Sequence, residues 1–278
     1  MQPDPKAEPP IGLLVAVAIA ALWLSSLEFL LRADIKQFTP LLIVPAILGR
    51  TFIQSGLFIV AHDAIHGVVL PRNLRLNHWV GQFTLMLYAL LPYQKLSLNH
   101  WQHHHYSGRA GDPDFHDGVH SNLFAWYLKF MKGYLDMRQR IILLFGMSVI
   151  VLILQTGLHV PVINLFLFWI LPIALSSMQL FFFGTYLPHR SGKTESNDSH
   201  HAISSNYSVI WSFLACYHFG YHWEHHEYPF LPWYRLPAAY QDRRQKQLIK
   251  IGMSRLLIFR LLTTTSSPLT LLFLIACF

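Results

Sequence analysis

Long runs of apolar residues alternate with short polar segments along the whole chain, a pattern that predicts an all-α integral membrane protein. The apolar stretches are 11–31, 40–61, 79–93, 141–157, 161–187, 209–219 and 256–278. A helix needs about 20 apolar residues to cross a bilayer. The third and sixth stretches are too short for that. We therefore predict that these two form re-entrant or interfacial helices.

The region from 141 to 187 is long enough for two helices, because Gly157, His159 and Pro161 supply a turn near its middle. Together with the first two stretches, this hairpin predicts four transmembrane helices. The last stretch is interrupted by Arg260 and Pro268. It can therefore lie in the plane of the membrane instead of crossing it.

Composition supports the membrane class, since 53% of the residues are hydrophobic and 13% are charged. The formal net charge is +7, and seven Lys or Arg residues lie between positions 235 and 260. Beside apolar spans, such an excess indicates the cytoplasmic side of the membrane and contact with anionic lipid, not nucleic acid. Arg32 and Lys36 depart from this pattern, because four crossings place them on the opposite side.

No internal repeat or second domain is evident, so we expect a single domain over 1–278. It comprises a polar tail at 1–10 and a basic and apolar C-terminal segment at 235–278. A cleaved signal peptide is not expected, because Lys6 is the only positive charge in the tail. Cys216 and Cys277 lie far apart in apolar surroundings and suggest neither a disulfide nor a thiolate metal site.

Eight histidines fall into three clusters with spacings of i, i+3 or i+4, which place the side chains of a helix on one face. The clusters are His62 and His66; His100, His103 and His104; and His222, His225 and His226. Four crossings with the short stretches left re-entrant put all three clusters on one side of the membrane, in a cytoplasmic cap. The neighbouring His105 lies about 140° around the helix from His100 and is excluded from this face.

The clusters predict a site for two metal ions, since eight imidazoles exceed the four ligands of one tetrahedral zinc. Imidazole binds iron, copper, nickel and zinc, so the ligand type leaves the metal open. A carboxylate that accepts the free ring N–H of a ligating histidine would orient the ring. The acidic residues near the clusters are Asp63, Asp112, Asp114, Asp117, Glu224 and Glu227. For this role we propose Asp63, Asp117 and Glu224. Asp112 to Asp114 is equally typical of an ordinary turn.

Three sequence boxes resemble those of the membrane fatty-acid desaturase and hydroxylase superfamily: HDAIHG from residue 62, HWQHH from residue 100 and HWEHH from residue 222. Two further stretches, FGTYLPHR from residue 183 and HFGY from residue 218, are similar to those of the bacterial and cyanobacterial β-carotene ketolases. The segment EYPFLPW from residue 227 extends the likeness. Tyr234 departs from it, because a second Trp is common there, and this leaves fine substrate preference open.

The resemblance implies a di-iron site with nine histidine ligands, of which the ninth follows a late transmembrane helix. His189 fits that position, and His218 competes with it because it lies four residues before His222. Aromatic residues near these positions are candidates for contact with the substrate. They are Phe183, Tyr186, Tyr217 and Tyr221.

The implied activity is the O2-dependent double oxidation of C4 in a β-ionone ring, which gives echinenone and canthaxanthin from β-carotene and, from zeaxanthin, astaxanthin. No dinucleotide fingerprint or fused redox module is visible, so electrons are expected from a separate protein such as ferredoxin. The basic segment from 235 to 250 is a candidate docking site for it. The alternatives are an acyl-lipid desaturase, a carotenoid hydroxylase, and, in another class, a non-catalytic membrane metal-binding or transport protein.

Overall fold

The computed structural model describes residues 11–190 and 200–264, and the regular elements within these ranges are helices. We number the longer ones α1 Ile11–Arg32, α2 Pro40–Ile65, α3 Leu74–Ala89, α4 Tyr93–Tyr106, α5 Leu123–Tyr134, α6 Met137–Leu158, α7 Val162–His189, α8 Val209–Cys216, α9 His222–Glu227 and α10 Leu236–Thr264. Short 3-10 turns lie at Ile35–Gln37 and Trp233–Arg235.

Four of the helices, α1, α2, α6 and α7, are long and apolar enough to cross a membrane. This confirms the four predicted spans. The turn between α6 and α7 lies where the sequence predicted it. His159 adopts a left-handed conformation (φ 52°) and ends α6, and Pro161 precedes the first residue of α7.

Helix α3 runs antiparallel to α2 and stops about halfway along it. Near its start, the Asn77 amide donates to the Ala64 carbonyl at 2.7 Å. Near its end, the Gln54 amide donates to the Tyr88 carbonyl at 2.6 Å. Gln54 lies in the middle of α2, so α3 enters the protein to mid-depth and α4 leads the chain back. This path is compatible with the re-entrant helix that the short apolar stretch predicted, and its position in a membrane stays a prediction.

Helix α7 contains two π-helical turns, Phe166–Ile170 and Phe182–Tyr186. In the second, the peptide N–H of Leu187 donates to the carbonyl of Phe182, five residues earlier. Such turns insert one extra residue and often mark functional sites. The face of α7 that carries His189 is consequently offset from the face that an uninterrupted helix would present.

Arg50 is buried in the middle of α2, with 1% of the residue exposed. Its guanidinium donates to the carbonyls of Phe168 at 3.0 Å and Trp23 at 2.9 Å, and to the Ser26 hydroxyl at 2.8 Å. An unpartnered polar group is costly at membrane depth, and these bonds supply the guanidinium with partners. They also join α2 to α1 and α7. This ionisable residue within a candidate span is thus held by partners on two neighbouring helices.

The chain divides into two compact units, of which the second begins at Pro237 and contains α10 except for its first residue. Within α10, Lys246 forms an ion pair with Asp242 at 2.7 Å, and Arg243 lies over the ring of Tyr240. The polar tail at 1–10 and the end of the last apolar stretch lie outside the described residues. The single-domain assignment stays a prediction.

Candidate metal centre

Two groups of four histidines converge at one end of the transmembrane helices. In each group, one ring nitrogen from every member lies within 4.8 Å of the others. The first group is His62, His66, His100 and His225, and the second is His103, His189, His222 and His226. Nε2 of His66 lies 2.8 Å from Nε2 of His100, and Nε2 of His189 lies 3.0 Å from Nε2 of His222.

His104 extends the first group to five. Its Nε2 lies 3.1 Å from Nε2 of His100 and 2.9 Å from Nε2 of His225. Its ring also stacks on the ring of His226, with centroids 4.3 Å apart. His104 therefore lies between the two groups and brings the number of converging imidazoles to nine.

Separate helices supply these side chains, and helical spacing explains which ones turn inward. Helix α4 presents His100, His103 and His104 on one face, while His105 is exposed and its Nδ1 lies 2.9 Å from the Trp101 carbonyl. The last turn of α2 and the last turn of α7 supply His62 and His189. The structure thus brings together the nine histidines that the sequence proposed, and it leaves out His105.

Hydrogen bonds at the far side of two rings direct Nε2 toward the groups. Nδ1 of His103 lies 2.9 and 3.0 Å from the carboxylate oxygens of Asp112. Nδ1 of His189 lies 2.9 Å from the carbonyl oxygen of His201. Metal-binding histidines commonly donate their second ring N–H to a carboxylate or a carbonyl in this way. The donor set therefore fits transition-metal ions bound through imidazole.

Asp112 is held by its own loop, which the sequence left undecided between a functional role and a turn. The peptide N–H groups of Gly108 and Asp114 donate to its carboxylate, each at 2.8 Å. Lys129 donates to the Pro113 carbonyl at 2.7 Å and stabilises the same loop. Burial raises the pKa of Asp112, but the hydrogen bonds from His103 and the loop outweigh it and hold the pKa below the ordinary value. The turn is thus also the support for His103.

The other acidic candidates have different surroundings. Asp63 is buried, with its Oδ1 3.6 Å from Nδ1 of His62, and it accepts a hydrogen bond from the peptide N–H of Trp233. Glu224 is buried and accepts a hydrogen bond from the hydroxyl of Ser204. The expectation for Asp117 is not met, because its exposed carboxylate binds His120 and peptide N–H groups of its own turn instead of a clustered histidine.

Burial favours the neutral form of most of these rings. It lowers the pKa of His222, His225 and His226 well below the ordinary value, and the neighbouring imidazoles add to the effect. A histidine must be neutral to bind a metal ion. His103 differs: burial lowers its pKa, but the hydrogen bond and charge of Asp112 raise it above the ordinary value. A proton and a metal ion would therefore compete most strongly at His103.

A small cavity of about 50 Å³ lies beside both histidine groups. Its apolar walls come from α2, α4, α5 and α7 and from the segment before α9. They are Phe58, Ile65, Leu96, Phe130, Leu180, Gly184 and Phe219. Five histidines also line the cavity: His62, His100, His103, His222 and His225. The cavity therefore brings apolar side chains next to the histidine groups.

The four aromatic residues proposed for substrate contact do not line this cavity. Phe183 packs on Phe182, and Tyr186 packs on Trp126. Tyr217 stacks on Phe52, with ring centroids 4.3 Å apart. The fourth, Tyr221, donates a hydrogen bond from its hydroxyl to the Tyr207 carbonyl. Their neighbours Gly184 and Phe219 are the residues that the fold places at the cavity.

His218 does not join the histidine groups. It has a left-handed backbone conformation (φ 65°) and precedes α9, so the helical spacing to His222 does not apply. Its ring stacks on Tyr221 and lies 5.9 Å from the ring of Trp233. Of the two competitors for the ninth position, the geometry favours His189.

The sequence that forms these four candidate spans and clustered histidines matches the model of a known family. The family model for fatty acid desaturases covers residues 38–255. The chain belongs to the fatty acid desaturase family. Within the family it is 41% identical over 229 residues to a β-carotene ketolase of Paracoccus sp. strain N81106, which covers 82% of this chain and 91% of that protein.

Two algal relatives also match. A zeaxanthin 4-ketolase of Chlamydomonas reinhardtii is 36% identical over 245 residues, which cover 84% of this chain and 54% of the relative. A β-carotene 4-ketolase of Haematococcus lacustris is 41% identical over 192 residues, which cover 67% and 58%. The chain therefore spans little more than half the length of these algal proteins and nearly the full length of the bacterial one.

Proposed function

We propose that this protein is a β-carotene ketolase, an oxidoreductase that converts C4 of a β-ionone ring to a ketone. The observation that carries the proposal is the convergence of nine imidazoles beside an apolar cavity. A second support is the 41% sequence identity with a β-carotene ketolase over nearly that protein's whole length. Apolar side chains beside the histidines suit a hydrocarbon substrate, and clustered imidazoles suit an oxidation that uses a transition metal.

The two histidine groups would hold two metal ions, which we assign as iron from the family resemblance. His62, His66, His100, His104 and His225 would bind one ion, and His103, His189, His222 and His226 the other. When bound, the metal pair supplies the activation of O2 for attack on a C–H bond. The buried, mostly neutral imidazoles keep the ligand set ready for metal, and Asp112 and the His201 carbonyl keep two of the rings oriented.

The reaction consists of two oxidations at the same carbon. In the first, a C4–H bond is replaced by C4–OH while O2, two electrons and two protons yield one water. The second consumes the same reagents and gives a geminal diol, which loses water to form the ketone. The apolar walls of the cavity would hold the reacting edge of the ring against the histidine groups and exclude water during both steps.

The substrate test is pigment analysis of a β-carotene-accumulating bacterium that expresses the chain. We expect echinenone and canthaxanthin, separated by chromatography and identified by mass, and the ratio of the two would report whether both rings react. Hydroxylated carotenoid alone would indicate a ring hydroxylase. Unaltered β-carotene with folded, metal-loaded protein would contradict the proposal and point to acyl-lipid desaturation or to metal binding without catalysis.

Electrons would come from a separate protein on the cytoplasmic side, for which we propose ferredoxin. The support is the cluster of Arg235, Arg243, Arg244, Lys246 and Lys250, since basic residues favour the cytoplasm and attract an acidic carrier.

In sealed vesicles given reduced ferredoxin, we expect turnover only when the membranes are inverted. The double variant Arg243→Glu, Arg244→Glu should raise the KM for ferredoxin. Activity in right-side-out vesicles would contradict the proposed orientation. An unchanged KM for ferredoxin would contradict the proposed docking site.

A further inference from the structure

Three of the residues that line the cavity, other than histidine, have polar side chains. They are Asp114, Tyr134 and Thr185. The remaining non-histidine lining residues are apolar. A hydrocarbon ring cannot form a hydrogen bond with these groups, but its hydroxylated product can. The cavity is therefore equipped to distinguish the substrate of the second oxidation from that of the first.

Tyr134 and Asp114 form a fixed pair. The Tyr134 hydroxyl donates to Oδ1 of Asp114 at 2.7 Å. The backbone of Asp114 is held at both ends, because its N–H donates to Asp112 at 2.8 Å and its carbonyl accepts from the Trp126 indole at 2.7 Å. A phenolic oxygen that donates one hydrogen bond can still accept another. The Tyr134 oxygen is thus held in place with the capacity to accept a hydrogen bond from an alcohol.

We propose that Tyr134, oriented by Asp114, binds the hydroxyl group of the half-oxidised carotenoid and retains it for the second oxidation. The inference rests on the proposed ketolase function. It assigns a residue to one requirement of that function, the completion of two oxidations before the carotenoid is released. The alcohol would donate its proton to the Tyr134 oxygen, while the parent hydrocarbon makes no such bond. Retention therefore acts on the intermediate in particular.

The same contact orients the remaining hydrogen on C4. After the first oxidation, C4 carries one hydroxyl and one hydrogen. A hydroxyl bound to the Tyr134 oxygen restricts rotation of the ring in the cavity, and so limits the directions in which the remaining hydrogen can point toward the histidines that also line it. Productive orientation of the reacting bond is a large part of enzymatic rate enhancement. Tyr134 takes no part in the balance of the oxidation, which consumes one O2, two electrons and two protons and releases water.

The test compares Tyr134→Phe with Tyr127→Phe in the β-carotene-accumulating host. Phenylalanine keeps the ring that packs on Phe130, with centroids 4.7 Å apart, and removes the hydroxyl. Tyr127 lies on the same helix, but its hydroxyl bonds to Ser177 and it does not line the cavity. We expect the ratio of 4-hydroxylated to 4-keto product to rise about 3- to 10-fold for Tyr134→Phe, the effect of one lost hydrogen bond. For Tyr127→Phe, we expect the wild-type ratio.

A second measurement separates binding of the alcohol from support of the metal site. With the 4-hydroxylated carotenoid supplied as substrate, Tyr134→Phe should raise its KM relative to the KM for β-carotene. A purely structural role would alter both substrates alike. An unchanged product ratio, or equal changes in both KM values, would overturn the inference. Absence of ketone from the wild-type protein would instead overturn the proposed function.

Discussion

Replacing His225 with alanine should reduce ketone formation at least about 100-fold, the largest effect we expect from a single substitution. His225 belongs to the first histidine group, and its Nε2 lies 2.9 Å from Nε2 of His104. Loss of a ligand should exceed the 10- to 100-fold typical of losing a residue that only orients one. Ketone yield per unit of folded protein and metal content per chain are the measurements.

The matched control is His105→Ala, which removes an imidazole from the same end of the protein. His105 is exposed, and its recorded hydrogen bond is to the carbonyl of Trp101 within its own helix. We expect this variant to keep most of the activity and the full metal content. If His105 were as sensitive as His225, the orientation of α4 described above would be incorrect. If His225→Ala kept its metal and its activity, the proposed ligand set would be wrong.

Replacing Asp112 with asparagine should lower activity and metal affinity by about 10- to 100-fold. The two oxygens of Asp112 accept hydrogen bonds from His103, Gly108 and Asp114. Asparagine has one carbonyl oxygen, and its NH2 group would face an N–H donor. His103 should consequently lose its fixed orientation. During titration with a chelator, we therefore expect the metal ion held by the second histidine group to be lost before the other.

Asp117→Asn provides the control for this change, since it makes the same substitution five residues away in an exposed turn. We expect wild-type activity and metal affinity for it. Thermal unfolding of both variants in detergent separates loss of metal from loss of fold. Equal behaviour of the two variants would contradict the role of Asp112 in supporting His103.

The number of candidate spans and the inward face of α4 could be predicted from local sequence. A span is recognised by about 20 apolar residues, and the turn after α6 by Gly157, His159 and Pro161. Within α4, the angular spacing of a regular helix separates His105 from His100 and His104. These features depend on residues a few positions apart on one element.

The support for the histidines could not be predicted in the same way. Asp112 and Asp117 have the same chemistry and lie in the same loop, and only the path of that loop brings Asp112 to His103. Lys129 on α5 helps to fix that path. The His201 carbonyl is a backbone group and leaves no signal in the sequence.

The choice of cavity residues also depended on tertiary structure. The aromatic segment around Phe183 was recognised as important, but the π-helical turn Phe182–Tyr186 changes which of its faces meets the cavity. No sequence pattern distinguishes Tyr134, because a tyrosine at the end of a short amphipathic helix is ordinary. Its bond to Asp114 spans 20 residues and exists only once α5 has packed beside the loop.

The sequence by itself determined the class of protein, the number of candidate spans and the eight histidines of the three clusters, whereas the structure decided between His189 and His218 for the ninth position. Hydrophobic length and helical periodicity encode these properties locally. The tertiary structure decided how the histidines divide into two groups, which carboxylate supports them and which side chains meet the cavity. Those outcomes depend on contacts between residues far apart in the chain, and no local spacing specifies such contacts.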